Sequence, residues 1–249
     1  MKTSAYDKAT FERRIDFTFG KERKRLITMV QFDSIETALH QLQNGGYVIL
    51  SDNEDRENEG DLVALADRIT PATVYEMLHE ANGLMCVPIT IQRAHELGFT
   101  KMVEHSTDPH QTPFMTTTDG TFEATGVTTG VSAFDRAATI KHIANPAAKP
   151  NDFNHPGHIQ PLYALDGGLR KRIGHTEASV DLAYLAGAEP AAVIIEVLKA
   201  DGHMARRDDL AKMAKRVDVP YITIAQIIEY MDAHGIEKAS DLQDATVHA

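Results

Sequence analysis

Twelve residues, Ser51 to Leu62, limit this chain more than any other stretch; they read S-D-N-E-D-R-E-N-E-G-D-L. Asp52, Glu54, Asp55, Glu57, Glu59 and Asp61 crowd their carboxylates together, and like charges that close repel unless a cation or basic group offsets them. On either side lie apolar segments of strand length, Tyr47-Val48-Ile49-Leu50 and Leu62-Val63-Ala64-Leu65-Ala66. The run is therefore a loop between two strands, and it needs a positive partner. A solvated acidic connection has much the same composition. Against that reading, the run is not low-complexity, it carries Arg56, which can face an anion, and Gly60 lets the backbone approach a ligand closely.

The 249 residues suffice to bury a substantial core, and 43% hydrophobic with 24% charged residues is ordinary for a soluble globular protein. A formal charge of −11 argues against sequence-independent nucleic-acid binding, which depends on Lys and Arg neutralising phosphates. It leaves room for a small anion held by a local basic cluster. With Cys86 as the one cysteine, no intrachain disulfide and no Cys-rich zinc site can form. No stretch approaches the roughly twenty apolar residues that span a bilayer, and the N-terminus leads into no apolar signal core. A cytoplasmic protein, without membrane or nucleic-acid partners, is expected.

Residues 1–30 are polar and mixed in charge, with a basic knot from Lys21 to Arg25, and read as a flexible N-terminal extension. Asp33 has the look of an N-cap, with Ile35, Ala38, Leu39 and Leu42 on one helical face. Thr70-Pro71 opens a second helix, with Val74, Met77, Leu78 and Ala81 inward and Gly83 as its stop. Leu84 to Pro88 is a strand in which Cys86 is a buried small hydrophobe, and Thr90 begins a short helix. Residues 99–112 are polar, placing His105 and His110 on the surface. Phe114 to Thr118 reads as a strand. Ser132 and Asp135 have capping-box spacing for a helix over 133–144. Pro146, Pro150 and Pro156 make 145–157 a loop. A helix follows Glu177, Ala191 to Leu198 is a strand interrupted by Glu196, and two amphipathic helices near 208–217 and 224–234 flank Tyr221-Ile222-Thr223. The expected architecture is α+β, a single domain over 31–235 with a mixed sheet and helices packed around it, then a polar tail over 236–249.

Several segments can answer the acidic loop. In Arg170-Lys171-Arg172-Ile173-Gly174-His175-Thr176, cations and a hydroxyl precede a helix whose first-turn amides can bind a phosphate. A plain cationic surface turn has the same composition. The run Thr125-Gly-Val-Thr-Thr-Gly-Val-Ser132 can present hydroxyls and amides or simply cap a helix. His175 with a carboxylate from the acidic loop suits Mg²⁺ or Mn²⁺ better than zinc, although a lone His near a turn is more often structural. Glu196, within an aliphatic strand, must face a site, find a partner or lie at an edge facing water. His158 has an imidazole that can transfer protons, or it is an ordinary loop histidine.

Together these residues resemble a family. Glu54-Asp55-Arg56-Glu57-Asn58-Glu59-Gly60-Asp61, Gly126 to Ala133 with Asp135-Arg136, Pro156-Gly157-His158, Gly174-His175-Thr176-Glu177, and Asp201-Gly202 with Met204-Ala205-Arg206 resemble 3,4-dihydroxy-2-butanone 4-phosphate synthase of riboflavin biosynthesis over roughly residues 30 to 232. The resemblance implies a lyase converting D-ribulose 5-phosphate to 3,4-dihydroxy-2-butanone 4-phosphate and formate with Mg²⁺ or Mn²⁺. It implies Glu57 and His175 as metal ligands, and Arg56, Glu57, Asp61, Arg172, Ile173, Gly174, His175, Thr176 and Glu196 against the substrate. His158 and Glu196 would carry the proton transfers, in a homodimer with active sites at the subunit interface. Some relatives are fused to a GTP cyclohydrolase domain, for which this chain is too short and too poor in cysteine.

The chain departs from the family pattern at four places. Asn53 stands for an acidic residue, His155 for the usual Arg before Pro-Gly-His, Ile173 for a small residue beside Arg172, where it would narrow the phosphate turn, and His203 interrupts the Asp-Gly-Thr-Met pattern. These departures motivate two alternatives: a catalytically silent relative that binds a sugar phosphate, and a different metal-dependent sugar-phosphate isomerase or aldolase.

Overall fold

The apolar segments flanking the acidic run become neighbouring strands toward one side of a single sheet. The computed structural model describes residues 30–243. Strand β1 (Tyr47–Ser51) pairs antiparallel with β2 (Gly60–Leu65), Tyr47 opposite Ala64 and Ser51 opposite Gly60. The other strands are β3 (Cys86–Thr90), β4 (Thr118–Gly120), β5 (Phe153–Ala164), β6 (Ala192–Glu196) and β7 (Tyr221–Thr223), and the order across the sheet is β4-β5-β3-β6-β2-β1-β7. The β1–β7 and β3–β5 pairs are parallel and the rest antiparallel, so the sheet is mixed, as the sequence implies.

Every residue of β1 and β2 is buried, which requires cover on both faces. Alternation assigns the faces. Ile49, Leu62, Val87, Val193 and Ile195 pack under α2 (Pro71–Ala81), α5 (Ala133–Ala144) and α7 (Arg207–Val217). Val48, Leu50, Val63, Cys86 and Ile194 pack under α1 (Ile35–Gln43), α6 (His175–Leu185) and α8 (Ile224–Ala233). Two short helices, α3 (Ile91–Glu96) and α4 (Phe122–Thr125), complete an α+β fold of three layers. Among the described residues no helix is long and apolar enough to cross a membrane.

Helix starts follow local chemistry: the side chains of Ser34, Thr70, Thr90, Ser132 and Thr223 each accept an amide of the first turn. Ser34, not Asp33, caps α1; Asp33 instead accepts the Tyr221 amide and donates its own to the Tyr221 carbonyl, tying the chain to β7. Helix α2 ends on left-handed Asn82 rather than at Gly83. Gly60 makes room for the Leu210 side chain, which a Cβ would meet at 2.4 Å, so its role is packing rather than ligand approach.

Three other expectations need correction. Residues 145–157 are not one loop, because β5 begins at Phe153 and runs through Pro156. The ladder with β4 is interrupted between Thr118 and Asp119, leaving residues 155–158 without register partners, so the missing proline N–H forfeits no ladder bond. Only Thr118 of the expected strand 114–118 enters β4, while Phe114 and Met115 make isolated bridges. Helix α6 begins at His175 itself. The extension expected over 1–30 lies, but for Val30, outside the described residues, as do residues 244–249 of the tail.

Helix α6 is buried on all sides from His175 to Ala183, including Glu177, Ser179 and Asp181. The buried acids have defined tasks. Glu177 accepts the Leu165 amide, and Asp181 accepts the Leu169 amide at 2.8 Å, so the helix grips the turn that precedes it. Burial pushes the Asp181 carboxyl from 3.8 up to about 6, the Leu169 amide opposing and Glu177 adding. Between about pH 4 and pH 6 the folded state therefore keeps a proton the unfolded chain has released, and stability falls as pH rises through that window. Asp181→Asn retains an acceptor for Leu169 and removes the charge. It is expected to raise stability at pH 7 by about 2–3 kcal/mol and to change little near pH 4 in urea unfolding. An equal offset at both pH values would refute this account.

Candidate active site

The acidic loop is wound around one of its own carboxylates. The Asp52 side chain is fully buried; its Oδ1 accepts the Glu59 amide at 3.0 Å, and its Oδ2 accepts the Glu57 amide at 3.1 Å and Arg56 NH1 at 3.0 Å. Arg206, just ahead of α7, donates to the carbonyls of Glu57 and Asn58, and Arg207 pairs with Glu54 at 3.2 Å. The expected repulsion is thus relieved by sorting: Asn53, Glu54 and Asp55 face solvent, while Asp52 and Asp61 are buried and Glu57 and Glu59 half-buried. Arg56 also donates to Glu57 Oε2 at 2.7 Å.

Facing this loop is the start of α6. His175 Nδ1 lies 3.7 Å from Glu57 Oε2. Arg172 NH1 donates at 2.7 Å to Oε2 of Glu177, whose side chain is wholly buried. A Cβ on Gly174 would meet the Arg172 guanidinium at 2.7 Å and that of Arg56 at 3.2 Å, so the two cationic groups converge on this glycine. Arg170, by contrast, pairs with Asp232 at 2.7 Å and with the carbonyls of Ile236 and Glu237, away from the loop. Ile173 is 55% exposed and does not crowd the turn.

Asp61 and Glu196 sit opposite each other in the β2–β6 register, on the sheet face that α6 covers. Glu196 Oε2 accepts the Leu84 amide at 2.8 Å. A cavity of about 130 Å³ is enclosed by Arg56, Glu57, Asp61, Arg172, His175, Thr176 and Glu196, together with Glu59, Thr112 and an apolar wall that includes Cys86 and Phe114. A larger cleft of about 330 Å³ lies near Arg93, Glu96 and Glu189, but there Arg93 is committed to Glu96 and to the carbonyls of Ile143 and Asn145.

The electrostatics reflect this confinement. The nearby His175 ring holds the Glu57 carboxyl down to about 2 against its burial, with Arg56 assisting. Burial drives Asp61 up to about 7; His175 opposes the rise, and Glu196, Glu57 and Glu59 add to it. For His175 burial disfavours the charge, but Asp61, Glu57 and Asp52 outweigh it and lift the ring to about 9. His175 Nε2 is buried without a hydrogen-bond partner. Asp52, Glu57 and His175 each place a ligand atom within 4.8 Å of the others. With both Asp52 oxygens engaged by amides and Arg56, Glu57 and His175 remain as donors, and a carboxylate beside an imidazole with an unsatisfied buried nitrogen fits a divalent cation.

The structure therefore gathers Arg56, Glu57, Asp61, Arg172, His175, Thr176 and Glu196, with Gly174 behind them, and leaves two expected residues outside. Ile173 does not line the cavity, and neither does His158, which sits on β5 against Asp119. Sequence reasoning missed Glu59, Thr112 and Phe114, and took Cys86 only as a core residue. His110 is exposed as expected, yet its Nδ1 lies 3.7 Å from Glu57 Oε1 and its carbonyl accepts from Arg172. Only Glu59 carried a signal, its place in the acidic run.

Comparison with known proteins agrees with this geometry. The family described as 3,4-dihydroxy-2-butanone 4-phosphate synthase matches residues 36–230. The riboflavin biosynthesis protein RibBA of Bacillus mycoides is 51% identical over 203 residues, covering 82% of this chain and 50% of that protein, and RibBA of Bacillus cytotoxicus is 47% identical over the same span. The chain spans about half the length of these relatives. A crystal structure of 3,4-dihydroxy-2-butanone 4-phosphate synthase in complex with two magnesium ions superposes with a TM-score of 0.78 at 35% identity, covering 83% of this chain and all of the other. The Candida albicans enzyme gives 0.73 at 44% identity, covering 80% of this chain and 98% of that one. By sequence and by fold, the chain belongs to the 3,4-dihydroxy-2-butanone 4-phosphate synthase family.

Proposed function

We propose that this chain converts D-ribulose 5-phosphate to 3,4-dihydroxy-2-butanone 4-phosphate and formate with Mg²⁺ or Mn²⁺, in the cytoplasm, through a catalytic domain over residues 31–235. One observation carries the reading: a single small cavity holds both a donor pair suited to a divalent cation, Glu57 and His175, and two guanidinium groups, Arg56 and Arg172, suited to a phosphate. Arg172 and the free amides at the start of α6 hold the phosphate, with Thr176 and Gly174 at that terminus. A cation held by Glu57 and His175, when bound, polarises neighbouring sugar oxygens and stabilises negative charge as a carbon-bound proton is removed. Glu196, oriented by the Leu84 amide, exchanges protons with the substrate beside Asp61.

His158 completes the machinery from a second copy. Phe122, Val131 and Phe134 are 66%, 52% and 73% exposed, on α4, the residue after Gly130 and α5, and large apolar side chains left in water favour burial in a homodimer. In that assembly His158 of the partner subunit enters the cavity. The four departures from the family pattern do not favour a silent relative. Asn53 and His203 face solvent, Ile173 points away from the cavity, and His155 packs on Phe99 and bonds the Thr117 carbonyl.

Incubation of the purified protein with ribulose 5-phosphate and Mg²⁺ is expected to release formate and yield the four-carbon phosphate by NMR. Binding without formate, or a five-carbon or aldol product, would overturn the reading. Glu57→Gln and His175→Ala are expected to weaken Mn²⁺ binding about 10–100-fold or more by electron paramagnetic resonance and to reduce turnover to near background, with exposed His105→Ala close to wild type. Unchanged Mn²⁺ affinity in either would remove the ligand assignment. Arg172→Ala would strand the buried Glu177 carboxylate, so Arg172→Lys is the cleaner test of the phosphate contact. It is expected to raise KM about tenfold with a smaller effect on kcat, and an unaltered KM would move the phosphate elsewhere.

A further inference from the structure

One stretch of the family pattern, Asp201-Gly202 with Met204-Ala205-Arg206, lines no part of the cavity. It belongs to a hairpin that leaves β6 directly after Glu196 and returns to the acidic loop. The Val197 amide donates to the Gly60 carbonyl at 2.9 Å, Ala205 donates back to the Val197 carbonyl at 2.9 Å, and Lys199 donates to the His203 carbonyl at 2.8 Å, with Leu198 bridged to Met204. Asp201 and Gly202 make the turn: Asp201 accepts the His203 amide at 3.0 Å, and Gly202 takes a left-handed φ of 84° that a side chain there would resist. The returning arm delivers Arg206, whose own amide donates to Asp209 of α7 at 3.2 Å.

Arg206 is exposed, and in a loop this acidic its guanidinium faces peptide carbonyls rather than a carboxylate. One guanidinium nitrogen donates to the Glu57 carbonyl at 2.9 Å and to the Asn58 carbonyl as well. On the other side of the same segment, Asp52 accepts the Glu57 amide at 3.1 Å and the Glu59 amide at 3.0 Å. Residues 57–59 are therefore gripped twice, their N–H groups by a residue of the loop and their C=O groups by a residue from outside it. Between these grips Asn58 sits at φ 55°, in the left-handed region that a residue other than glycine keeps only where its surroundings fix it. Relaxing Asn58 would turn the peptide that joins it to Glu57 and carry the Glu57 carboxylate away from His175 Nδ1, which lies 3.7 Å from it.

The geometry points to Arg206 as a positioning residue for the cation site: clamped on two consecutive carbonyls, it fixes the backbone from which Glu57 reaches a divalent cation. The inference rests on the reading of Glu57 as a cation ligand and deepens it. It also reverses the sign that charge alone dictates. A guanidinium repels a nearby cation, so by Coulomb's law removing Arg206 would tighten Mn²⁺ binding, whereas removing a clamp loosens it. Arg207 provides the comparison, because it brings the same charge to the same loop but pairs with the exposed side chain of Glu54 at 3.2 Å.

In the full chain, Arg206→Ala is expected to weaken Mn²⁺ binding about tenfold by electron paramagnetic resonance. Arg206→Lys, whose single ammonium can donate to both carbonyls, is expected to stay within about threefold of wild type. Arg207→Ala removes a charge without loosening residues 57–59 and should leave the affinity within about twofold or tighten it. Formate release by Arg206→Ala should be low at limiting Mn²⁺ and recover at saturating Mn²⁺, a dependence that general loss of structure does not produce. Hydrogen exchange in that variant should quicken at the Glu57 and Glu59 amides and stay unchanged along β1 and β2. Unchanged or tighter Mn²⁺ binding in Arg206→Ala, no recovery in Arg206→Lys, or exchange quickened throughout the sheet would overturn the clamp. If Glu57→Gln loses Mn²⁺ and Arg206→Ala does not, the ligand assignment stands and the positioning role falls. If Glu57→Gln binds Mn²⁺ as the wild type does, both fall.

Discussion

Negative charge held close together is the constraint from which the rest of the molecule follows. Glu57, Glu59, Asp61 and Glu196 share the wall of one cavity, and no arrangement of them is stable without opposing charge. The fold supplies it from three separate parts of the chain: Arg56 within the loop, Arg206 ahead of α7, and His175 with Arg172 around the start of α6. Each cation also fixes geometry. Arg206 clamps the carbonyls of Glu57 and Asn58, Arg56 bridges Asp52 and Glu57, and Arg172 is anchored on buried Glu177. An arrangement that relieves repulsion in this way is also one into which a divalent cation and a phosphate can enter.

The sheet makes the convergence possible. Because side chains alternate across strands, the register that pairs Val63 with Ile194 in the core also pairs Asp61 with Glu196 two residues on, on the same face. The helix covering that face presents its first turn there, and α6 is buried around its circumference because it lies between the sheet and α8. Its polar residues are not packing defects. Glu177 and Asp181 hold the turn at 165–172, so Arg172, which lines the cavity, is anchored on a buried carboxylate. At the interrupted β4–β5 ladder, a sheltered carboxylate likewise holds a more exposed side chain, Asp119 bonding the amide and ring of His158.

Much of this was legible in the chain. Alternating and continuous apolar runs located β1, β2 and β6, and the hydroxyl residues Thr70, Thr90 and Ser132 marked helix starts because capping depends only on residues within one turn. The acidic run announced a cation requirement, and the family motifs pointed to Glu57 and His175. The failures also have physical causes. Prolines concealed the first part of β5, because the interruption opposite Asp119 depends on a partner strand more than thirty residues away. The sequence could not divide the labour among adjacent acids, so Asp52, which organises the loop, looked like its solvated neighbours. Ile173 read as a crowding residue, but the turn directs its side chain outward.

What the amino-acid order determined is therefore whatever rests on near neighbours: element types, most caps, and the presence of carboxylates, cations and imidazoles in sufficient number. Which of them meet was decided by tertiary packing. Asp61 lies far along the chain from Glu196, Asp52 from His175, and Asp119 from His158. Their separations are set by strand register, by which sheet face a helix covers and by where a ladder is broken, none of which is a property of any local stretch. Charge and burial act through space, so the same residues acquire a function only once the fold has fixed the distances between them.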